Sequence, residues 1–468
     1  MKKYTTIILV GIILVLAVVL AGVLLFLKNQ PPQERAVVQP IATIQPLEAD
    51  SSLWGVNYPN EYSSLIQTAN NNTPTTYGGS AQNSYLLEDP RLVLLFMGYP
   101  FSKDYNQPRG HENTLIDVRA TKRVTDTTHA TCYSCKSSDN PGLWAQMGME
   151  AYDAKMFSDM TPDINNPIGC ANCHEAGSMR LVITNPAVEA AFQSEGLDWR
   201  TFTRQQMRSA VCANCHVTYY FTGENKVLTV PWANGTRVEE IIQYEDSLNF
   251  SDWTYPEAGT PIMKARHPDY ELFTADSTHY RAGVSCADCH MPYVRDGAMK
   301  YSSHDIISPL LDPQQSCGQC HTNVDDVLAR VSVIQDTVYQ AKIDTEDALI
   351  DAITAIKAAA AKPDSDPALL DEARTLHRHA QFMWDFISSA NSMGFHNPDE
   401  ALRILRNATD LARQAQMKAA QAAGDPSLLA VGVYYTINPL PTPEAVRWSR
   451  CWAANPHSIL KMPQRQTY

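Results

Sequence analysis

Ten of the eleven cysteines occur as five Cys-x-x-Cys pairs, all between positions 132 and 320. A histidine directly follows four of the pairs, which is the pattern that attaches a c-type haem through two thioethers and supplies one axial imidazole. The first pair, Cys132 and Cys135, is followed by Lys136 instead, so one site in five has a different axial chemistry. The other four are Cys170-x-x-Cys173-His174, Cys212-x-x-Cys215-His216, Cys286-x-x-Cys289-His290 and Cys317-x-x-Cys320-His321.

Two other kinds of site use Cys-x-x-Cys pairs. A zinc ribbon binds its metal through four cysteines and does not require the following histidine. A thioredoxin-like site uses a single pair beside a βαβ unit. Five pairs, four of them followed by His, therefore favour five covalently bound haem c groups. The remaining cysteine, Cys451, is assigned no role.

An iron with two imidazole ligands needs a second histidine from elsewhere in the chain. Thirteen histidines less the four in the motifs leave nine, which exceeds the need. The sequence alone does not show which histidine serves which haem. The nine are His111, His129, His267, His279, His304, His377, His379, His396 and His457.

Lys136 indicates a haem that does more than carry electrons. A lysine amine is an iron ligand only when neutral, so the folded site must lower its pKa by coordination and desolvation. If the opposite face of this iron lacks a protein ligand, it is open to a small molecule that can be bound and reduced. The alternative is that Lys136 is a surface residue that follows an unligated motif.

The N-terminal segment predicts a membrane anchor over residues 1–28. Residues 5–27 carry no charge and are long enough for a transmembrane helix, longer than the apolar part of a cleavable signal. Lys2 and Lys3 would stay in the cytoplasm, which places the remaining chain on the extracytoplasmic face of the membrane. The absence of a convincing cleavage site favours an uncleaved anchor over a removed signal. The proline-rich residues 29–50 are predicted to be a tether.

The charge of the chain excludes one class of partner. Its formal net charge of −13 argues against binding to nucleic acid. An anionic substrate would need locally positive side chains to overcome this field.

The predicted fold is mainly α, with a multihaem cytochrome c core at 51–330 and a helical region at 331–468. The core is rich in loops and has few predicted strands, 226–230 being one, because haem groups can supply its apolar interior. Short helices are predicted near 186–195, 204–216 and at each motif. Three long antiparallel helices are predicted at 324–361, 368–390 and 398–423 from apolar residues spaced three and four apart.

Several further motifs resemble those of the ammonia-forming cytochrome c nitrite reductases, which are pentahaem enzymes. The likeness extends from about Tyr58 to Pro398. It includes the leading Cys-x-x-Cys-Lys and the helical C-terminal third. The other segments that carry it are Arg109-Gly110-His111, Asp117-x-x-x-Thr121-x-Arg123, His216-Val217-Thr218-Tyr219-Tyr220-Phe221, 264–271 (KARHPDYE) and 286–292 (CADCHMP).

The resemblance implies a substrate pocket on the open side of the Lys136 iron, formed by Arg123, Tyr219 and His267. Their chemistry suits nitrite: Arg123 can attract and hydrogen-bond the anion, and His267 can protonate a departing oxygen. Tyr219 can donate a hydrogen bond. The resemblance also implies distal ligands for the second, third, fourth and fifth motifs, respectively His304, His111, His396 and His279.

One departure from the family concerns calcium. Many members bind this ion near the active haem through a Glu before the catalytic Tyr and a Gln before the catalytic His. Here those positions are Thr218 and Arg266, so two oxygen ligands are lost. No calcium is therefore expected, and Arg266 is predicted to replace it, as in the calcium-independent branch. Arg266 could alternatively pair with a haem propionate.

The resemblance implies six-electron reduction of nitrite to ammonium, with four bis-His haems as the relay. It further implies a membrane quinol-oxidising multihaem cytochrome as electron donor and a homodimer formed through the helical end. Hydroxylamine and sulfite are alternative substrates. Two other functions remain open, an electron-transfer cytochrome without its own substrate and a hydroxylamine oxidase.

Overall fold

The computed structural model describes residues 11–16, 18–20, 22, 40–430 and 432. The chain divides into two compact units, Met1–Thr43 and Ile44–Tyr468. Cys451 and His457 lie outside the described residues, as do much of the predicted tether and the last part of the predicted helical region. The predicted domain boundaries stay predictions.

The predicted membrane anchor is contradicted. No helix among the described residues is long and apolar enough to cross a membrane. Within 1–28 only residues 11–16, 18–20 and 22 are described, all of them helical. A membrane span needs about 20 successive apolar residues, whereas the longest described run here is 11–16. The anchor and the extracytoplasmic location derived from it are therefore corrected, and the remaining part of 1–28 lies outside the described residues.

The second unit is mainly α-helical, as predicted, with regular elements that are short up to residue 316. The α-helices here, numbered in chain order, are α1 Ser51–Gly55, α2 Pro59–Gln67, α3 Tyr85–Glu88, α4 Arg91–Leu95, α5 Thr114–Ala120, α6 Asn140–Met147, α7 Met149–Asp153, α8 Phe157–Met160, α9 Pro186–Ser194, α10 Arg204–Ala210, α11 Val238–Ser247, α12 Asp269–Thr274, α13 Thr278–Arg281, α14 Cys286–His290 and α15 Pro313–Ser316.

The strands form four separate two-stranded antiparallel hairpins in the described part of the chain. Their strands are β1 Pro74–Thr75 with β2 Gly78–Gly79, β3 Tyr220–Thr222 with β4 Val227–Thr229, β5 Trp253–Thr254 with β6 Pro261–Ile262, and β7 Tyr293–Asp296 with β8 Met299–Ser302. The predicted strand at 226–230 is the second strand of the β3–β4 hairpin, whose register pairs Tyr220 with Thr229.

Three long helices follow, close to their predicted positions: α16 Val324–Ala360, α17 Pro367–Ser388 and α18 Pro398–Ala422. Each begins at a side-chain cap, in which Asn323, Asp366 or Asn397 accepts a hydrogen bond from a first-turn amide. Proline at the first position of α17 and α18 costs no hydrogen bond, since that amide has no intrahelical partner.

The long helices form one apolar core with α4, with α11 and with the segment 253–272. Trp384 of α17 is fully buried, and its ring lies 5.6 Å from that of Phe96. Its indole Nε1 donates a 3.1 Å hydrogen bond to Glu346 of α16. The same core includes Ala265, which directly precedes the predicted site residues Arg266 and His267 in the chain. The helical region therefore supports the segment that carries His267.

Candidate cofactor sites and substrate pocket

The five cysteine pairs lie on short helical turns, which bring residues three apart to the same side of the backbone. The fourth pair is on α14, and the other four lie on or next to 3₁₀ turns. None of these ten cysteines forms a disulfide. In the second, third and fifth motifs the histidine amide donates a 2.9 Å hydrogen bond to the carbonyl of the first cysteine. Two sulfurs and one imidazole are therefore held together, as attachment of one porphyrin requires.

Three motif histidines lie opposite a second imidazole. The ring centroids are 6.2 Å apart for His174 and His304 and 6.3 Å apart for His290 and His396. They are 6.4 Å apart for His321 and His279. A metal–imidazole bond of about 2 Å, plus about 1.2 Å from nitrogen to ring centre, gives about 6.4 Å for a metal bound by both rings. The spacing fits one iron between each pair.

The other ring nitrogen of several of these histidines is held by the backbone. Nδ1 lies 3.0 Å from the Met179 carbonyl oxygen in His174 and 3.1 Å from that of Ile307 in His290. In His304 it lies 2.9 Å from that of Ser302. A ring that donates from Nδ1 to a carbonyl presents Nε2 as the metal ligand, with a fixed orientation.

The third motif has two imidazole neighbours. The ring of His216 lies 6.3 Å from that of His267, the predicted catalytic residue. The second neighbour is His111, the predicted distal ligand. Burial, and next the charge of His216, lowers the pKa of His111 to about 3. The assignment of His111 to this iron stays a prediction.

Lys136 is held through its backbone, while its amine remains available. Its amide donates a 2.9 Å hydrogen bond to the Tyr133 carbonyl, and its own carbonyl accepts a 2.8 Å bond from the Thr114 hydroxyl. Nζ has no hydrogen-bond or ion-pair partner among the residues that the structure describes. An amine without a counterion suits a neutral metal ligand better than a structural cation.

Arg123 is oriented by two contacts. Its Nε donates a 3.1 Å hydrogen bond to the Thr121 hydroxyl, and its Cζ lies 4.1 Å from the centroid of the Phe101 ring. The Tyr219 ring lies 5.3 Å from the Arg266 guanidinium, and burial raises the pKa of its phenol. Arg123 and Tyr219 are connected through two aromatic residues, since the Phe101 ring stacks on that of Tyr99 and the Tyr99 hydroxyl accepts from Arg266.

His267 has an unusual backbone and an unpaired ring nitrogen. Its φ of 47° lies in the left-handed region, which costs a non-glycine residue about 1–3 kcal/mol and is frequent at functional sites. Nδ1 is buried without a hydrogen-bond partner among the described residues. Burial, followed by the charge of Lys136, lowers the pKa of His267 to about 3. As a proton donor at neutral pH, this imidazole would need an anion beside it.

Arg266 lies behind the pocket and is almost fully buried. Its Nη1 donates to the carbonyl oxygens of Tyr219 at 2.8 Å and of Lys264 at 2.9 Å. Its Nη2 forms a 2.5 Å ion pair with Asp252 and a 2.7 Å hydrogen bond with the Tyr99 hydroxyl. The guanidinium thus satisfies two inward-facing carbonyls and one carboxylate with a single fixed charge.

His377 and His379, which are not among the implied haem ligands, have protein partners. Nδ1 of His377 lies 2.9 Å from the Thr260 hydroxyl and its Nε2 lies 2.9 Å from Gln381 Oε1, so neither nitrogen is available to iron. Nε2 of His379 forms a 2.6 Å ion pair with Asp246. Nδ1 of His129 lies 3.0 Å from the Asp153 carbonyl oxygen.

Two groups near the site were not found from the sequence. Asp269 contacts the imidazoles of both His216 and His396. Lys264 and Asp385 form a buried 2.8 Å ion pair beside Ala265. The sequence does place an acidic residue, Asp269, two positions after the predicted catalytic His267, which indicates a carboxylate close to the haem ligands. Only the folded chain shows which ligands it reaches.

The chain is similar to known cytochromes over most of its length. A profile of the family described as Cytochrome c552 matches residues 50–450. Cytochrome c-552 of Parabacteroides distasonis is 39% identical over 383 residues, 80% of this chain and 77% of that protein. Cytochrome c-552 of Porphyromonas gingivalis is 36% identical over 403 residues, 83% of this chain and 80% of that protein.

A solved structure has the same fold. It is the catalytic subunit of the cytochrome c nitrite reductase from Desulfovibrio desulfuricans ATCC 27774, described with two calcium sites. It is 31% identical, has a TM-score of 0.77, and covers 82% of this chain and 89% of its own. The match to the family profile and the identity to its members agree with the motif geometry. The chain therefore belongs to the cytochrome c552 family, which implies covalently bound haem c.

Proposed function

We propose that this protein reduces nitrite to ammonium at a haem c whose iron is bound by Lys136, and that four further haems with two imidazoles each deliver the electrons. The observation that carries the proposal is the pocket beside the one motif without a histidine. Arg123, Tyr219 and His267 come from three separate segments that meet around Arg266. Arg266 directly precedes His267 and donates to the Tyr219 carbonyl and the Tyr99 hydroxyl, and Tyr99 stacks on the Phe101 ring that contacts Arg123. The likeness to a cytochrome c nitrite reductase supports the same reaction.

The side chains of the pocket suit a small anion with two oxygens. Arg123 supplies positive charge and planar hydrogen-bond donors, which the net negative charge of the chain makes necessary. Tyr219 is protonated at neutral pH, as a phenol ordinarily is, and burial raises its pKa further, so its hydroxyl can donate to a nitrite oxygen. His267 is the proposed proton donor to a departing oxygen, with nitrite itself as the anion that favours the protonated ring.

The stoichiometry explains the number of cofactors. Conversion of nitrite to ammonium and two waters consumes six electrons and eight protons. When bound, the haem groups supply the electrons and the iron centre at which nitrogen is reduced. The protein contributes the anion site, the proton donor and the exclusion of other ligands.

We further propose that Arg266 takes the place of calcium in this branch of the family. The carbonyl oxygens of Tyr219 and Lys264 and the carboxylate of Asp252 are ligands that a hard cation would accept. Arg266 already donates to all three. Burial alone would lower the pKa of Arg266, but Asp252 outweighs this effect and keeps the guanidinium charged.

The same family resemblance supports two further proposals, one for the electron donor and one for the assembly state. A quinol-oxidising multihaem cytochrome is the proposed donor, and a homodimer through the long helices is the proposed assembly. Both are testable by reconstitution with such a cytochrome and by the mass of the purified protein in solution.

The decisive experiment is electron paramagnetic resonance of the oxidised protein with and without nitrite, together with ammonium analysis. We expect one high-spin haem among low-spin haems, a change of the high-spin signal on nitrite addition, and one ammonium per six electrons consumed. The variant His267→Asn should lose turnover, while the control His379→Asn, which changes a histidine on α17, should keep it. A protein whose haems are all low-spin and insensitive to nitrite would be an electron carrier.

A further inference from the structure

A single buried carboxylate lies between two different haem sites. Asp269 is the first residue of α12, and only 9% of its side chain is exposed. Its Oδ2 lies 3.0 Å from Nδ1 of His216, the histidine of the third motif. Its Oδ1 lies 3.4 Å from Nδ1 of His396, which faces the histidine of the fourth motif. Each oxygen therefore points to the imidazole of a different iron.

We propose that Asp269 is a shared positioning residue, whose one negative charge acts through His216 and His396 and holds the reduction potentials of two neighbouring haems low. The proposal rests on the haem ligands assigned under the proposed function, but not on nitrite as the substrate.

The carboxylate is fixed by further donors. The backbone amide of Asn391 donates to Oδ1 at 2.8 Å, and its side-chain Nδ2 donates to Oδ2 at 2.6 Å. The amide of Asp269 itself donates to the His267 carbonyl at 2.7 Å. These bonds tie the orientation of the carboxylate to the loop before α18 and to the residue of the substrate pocket.

The contact with His396 is longer than a normal hydrogen bond, but no better acceptor competes for this ring. Nδ1 of His396 is buried and has no hydrogen-bond partner among the residues that the structure describes. Its nearest ionic partner is Asp269. Asp269 Oδ1 therefore provides an acceptor for the buried His396 Nδ1, which has no other partner among the described residues.

The other ligands with a described Nδ1 contact provide the comparison. His174, His290 and His304 are held by neutral backbone carbonyls. A carboxylate acceptor withdraws the Nδ1 proton more strongly, which makes the imidazole a stronger donor to iron and stabilises the oxidised state. A negative charge near the iron acts in the same direction. The third haem, and the fourth, whose other imidazole His290 is carbonyl-bound, should therefore have lower potentials than the second haem, whose imidazoles His174 and His304 are both carbonyl-bound.

The positions of these two haem sites make their low reduction potentials relevant to electron transfer. His216 lies 6.3 Å from His267, so the third haem site is next to the proposed substrate pocket. The third and fourth motifs are neighbours as well, since the Cys286 amide donates a 3.2 Å hydrogen bond to the Ser209 hydroxyl and Arg208 forms a 2.8 Å ion pair with Asp288. The two sites that Asp269 contacts are thus the haem site beside the proposed substrate pocket and its neighbour. A low potential there increases the driving force for transfer to the substrate iron.

The test is a redox titration of the purified holoprotein without nitrite, followed by electron paramagnetic resonance to separate the haems. Asp269→Asn keeps the shape and an acceptor oxygen but removes the charge, and we expect two of the potentials to move upward while the others stay unchanged. The control Asp276→Asn removes an exposed carboxylate just beyond α12, and it should move none. An upward shift confined to one haem, or no shift at all, would overturn the proposal.

A second variant decides the matter if Asp269→Asn does not assemble. Asn391→Ala removes the donor that competes with His216 for Oδ2, and Asn391 is an exposed residue whose truncation leaves the core intact. We expect the potential of the third haem to move downward, opposite in sign to the first variant. An unchanged or raised potential would contradict the role of Asp269. The expected shifts in potential together with no nitrite turnover by the natural protein would count against the proposed substrate and leave the role of Asp269 intact.

Discussion

Arg266 Nη1 donates a 2.8 Å hydrogen bond to the carbonyl oxygen of Tyr219, and the Arg266 guanidinium lies 5.3 Å from the centroid of the Tyr219 ring. The charge that is proposed to replace a metal ion therefore contacts both the backbone and the ring of the proposed catalytic tyrosine. Because Asp252 and Tyr99 hold the other side of the guanidinium, it cannot withdraw without breaking several buried hydrogen bonds.

This contact predicts a calcium-dependent variant. Arg266→Gln removes the fixed charge but leaves the carbonyl oxygens of Tyr219 and Lys264 and the carboxylate of Asp252 as hard ligands, and glutamine adds an amide oxygen. We expect nitrite turnover to fall and to recover in part when calcium is added. Metal analysis of the variant should then find bound calcium. The natural protein should keep its activity in a chelator, and loss of that activity would contradict the replacement.

Phe101 is predicted to affect the affinity for nitrite. The Arg123 guanidinium lies 4.1 Å from the centroid of its ring, a cation–π contact worth about 0.5–2 kcal/mol. Phe101→Leu should therefore raise the KM for nitrite by about 2- to 30-fold and change kcat much less. Steady-state kinetics on the purified variant measures both constants. An equal loss in kcat would mean that Phe101 acts on the reaction itself and not on the position of Arg123.

The ion pair between Lys264 and Asp385 is predicted to make single substitutions costly. Both side chains are 1% exposed, and Asp385 also accepts a 2.9 Å hydrogen bond from the Ala265 amide. Asp385→Asn leaves a buried ammonium without its counterion, which should lower the free energy of unfolding by about 3–5 kcal/mol.

The double variant Lys264→Met with Asp385→Asn is the matched control for this pair. It removes both charges while asparagine can still accept from the Ala265 amide, so most of the lost stability should return. Denaturant titration followed by circular dichroism compares the three proteins. A double variant no more stable than Asp385→Asn would show that shape, not charge, is the important property of Asp385.

Patterns that repeat over short distances could be predicted from the sequence. The cysteine motifs, the three long helices and the second strand of the β3–β4 hairpin are local features, and their predicted positions agree with the structure to within a few residues. The contacts that hold the site are not local. Asp269 meets Asn391, and Lys264 meets Asp385, across more than a hundred residues of chain. No periodicity in either segment indicates its partner, so such pairs require the fold.

The N-terminal prediction had a different weakness. An uncharged run shows that a segment could enter a membrane, but it does not show that a continuous helix forms over the whole run. The helical residues described at 11–16, 18–20 and 22 do not make a helix long enough to span one.

His377 is predicted to make the stability of the fold depend on pH. It is fully buried on α17, with Nδ1 facing the Thr260 hydroxyl and Nε2 facing Gln381 Oε1, whose amide nitrogen in turn donates to the Leu95 carbonyl. Burial lowers the pKa of His377 from 6.5 to about 4. In the unfolded chain the imidazole binds a proton near pH 6.5, whereas in the folded protein it resists protonation until about pH 4.

The sign follows from which state binds more protons. Between pH 6.5 and about 4 the unfolded chain is the more protonated, so the free energy of unfolding decreases as the pH falls through this window, by about 3 kcal/mol in total. His377→Asn cannot titrate, and it should lose this part of the pH dependence although it is less stable at neutral pH. The control Thr375→Ala, an exposed position on the same helix without a titrating group, should keep the slope of the natural protein. Denaturant titrations at several pH values compare the three slopes, and an unchanged slope in His377→Asn would show that other groups cause the acid sensitivity.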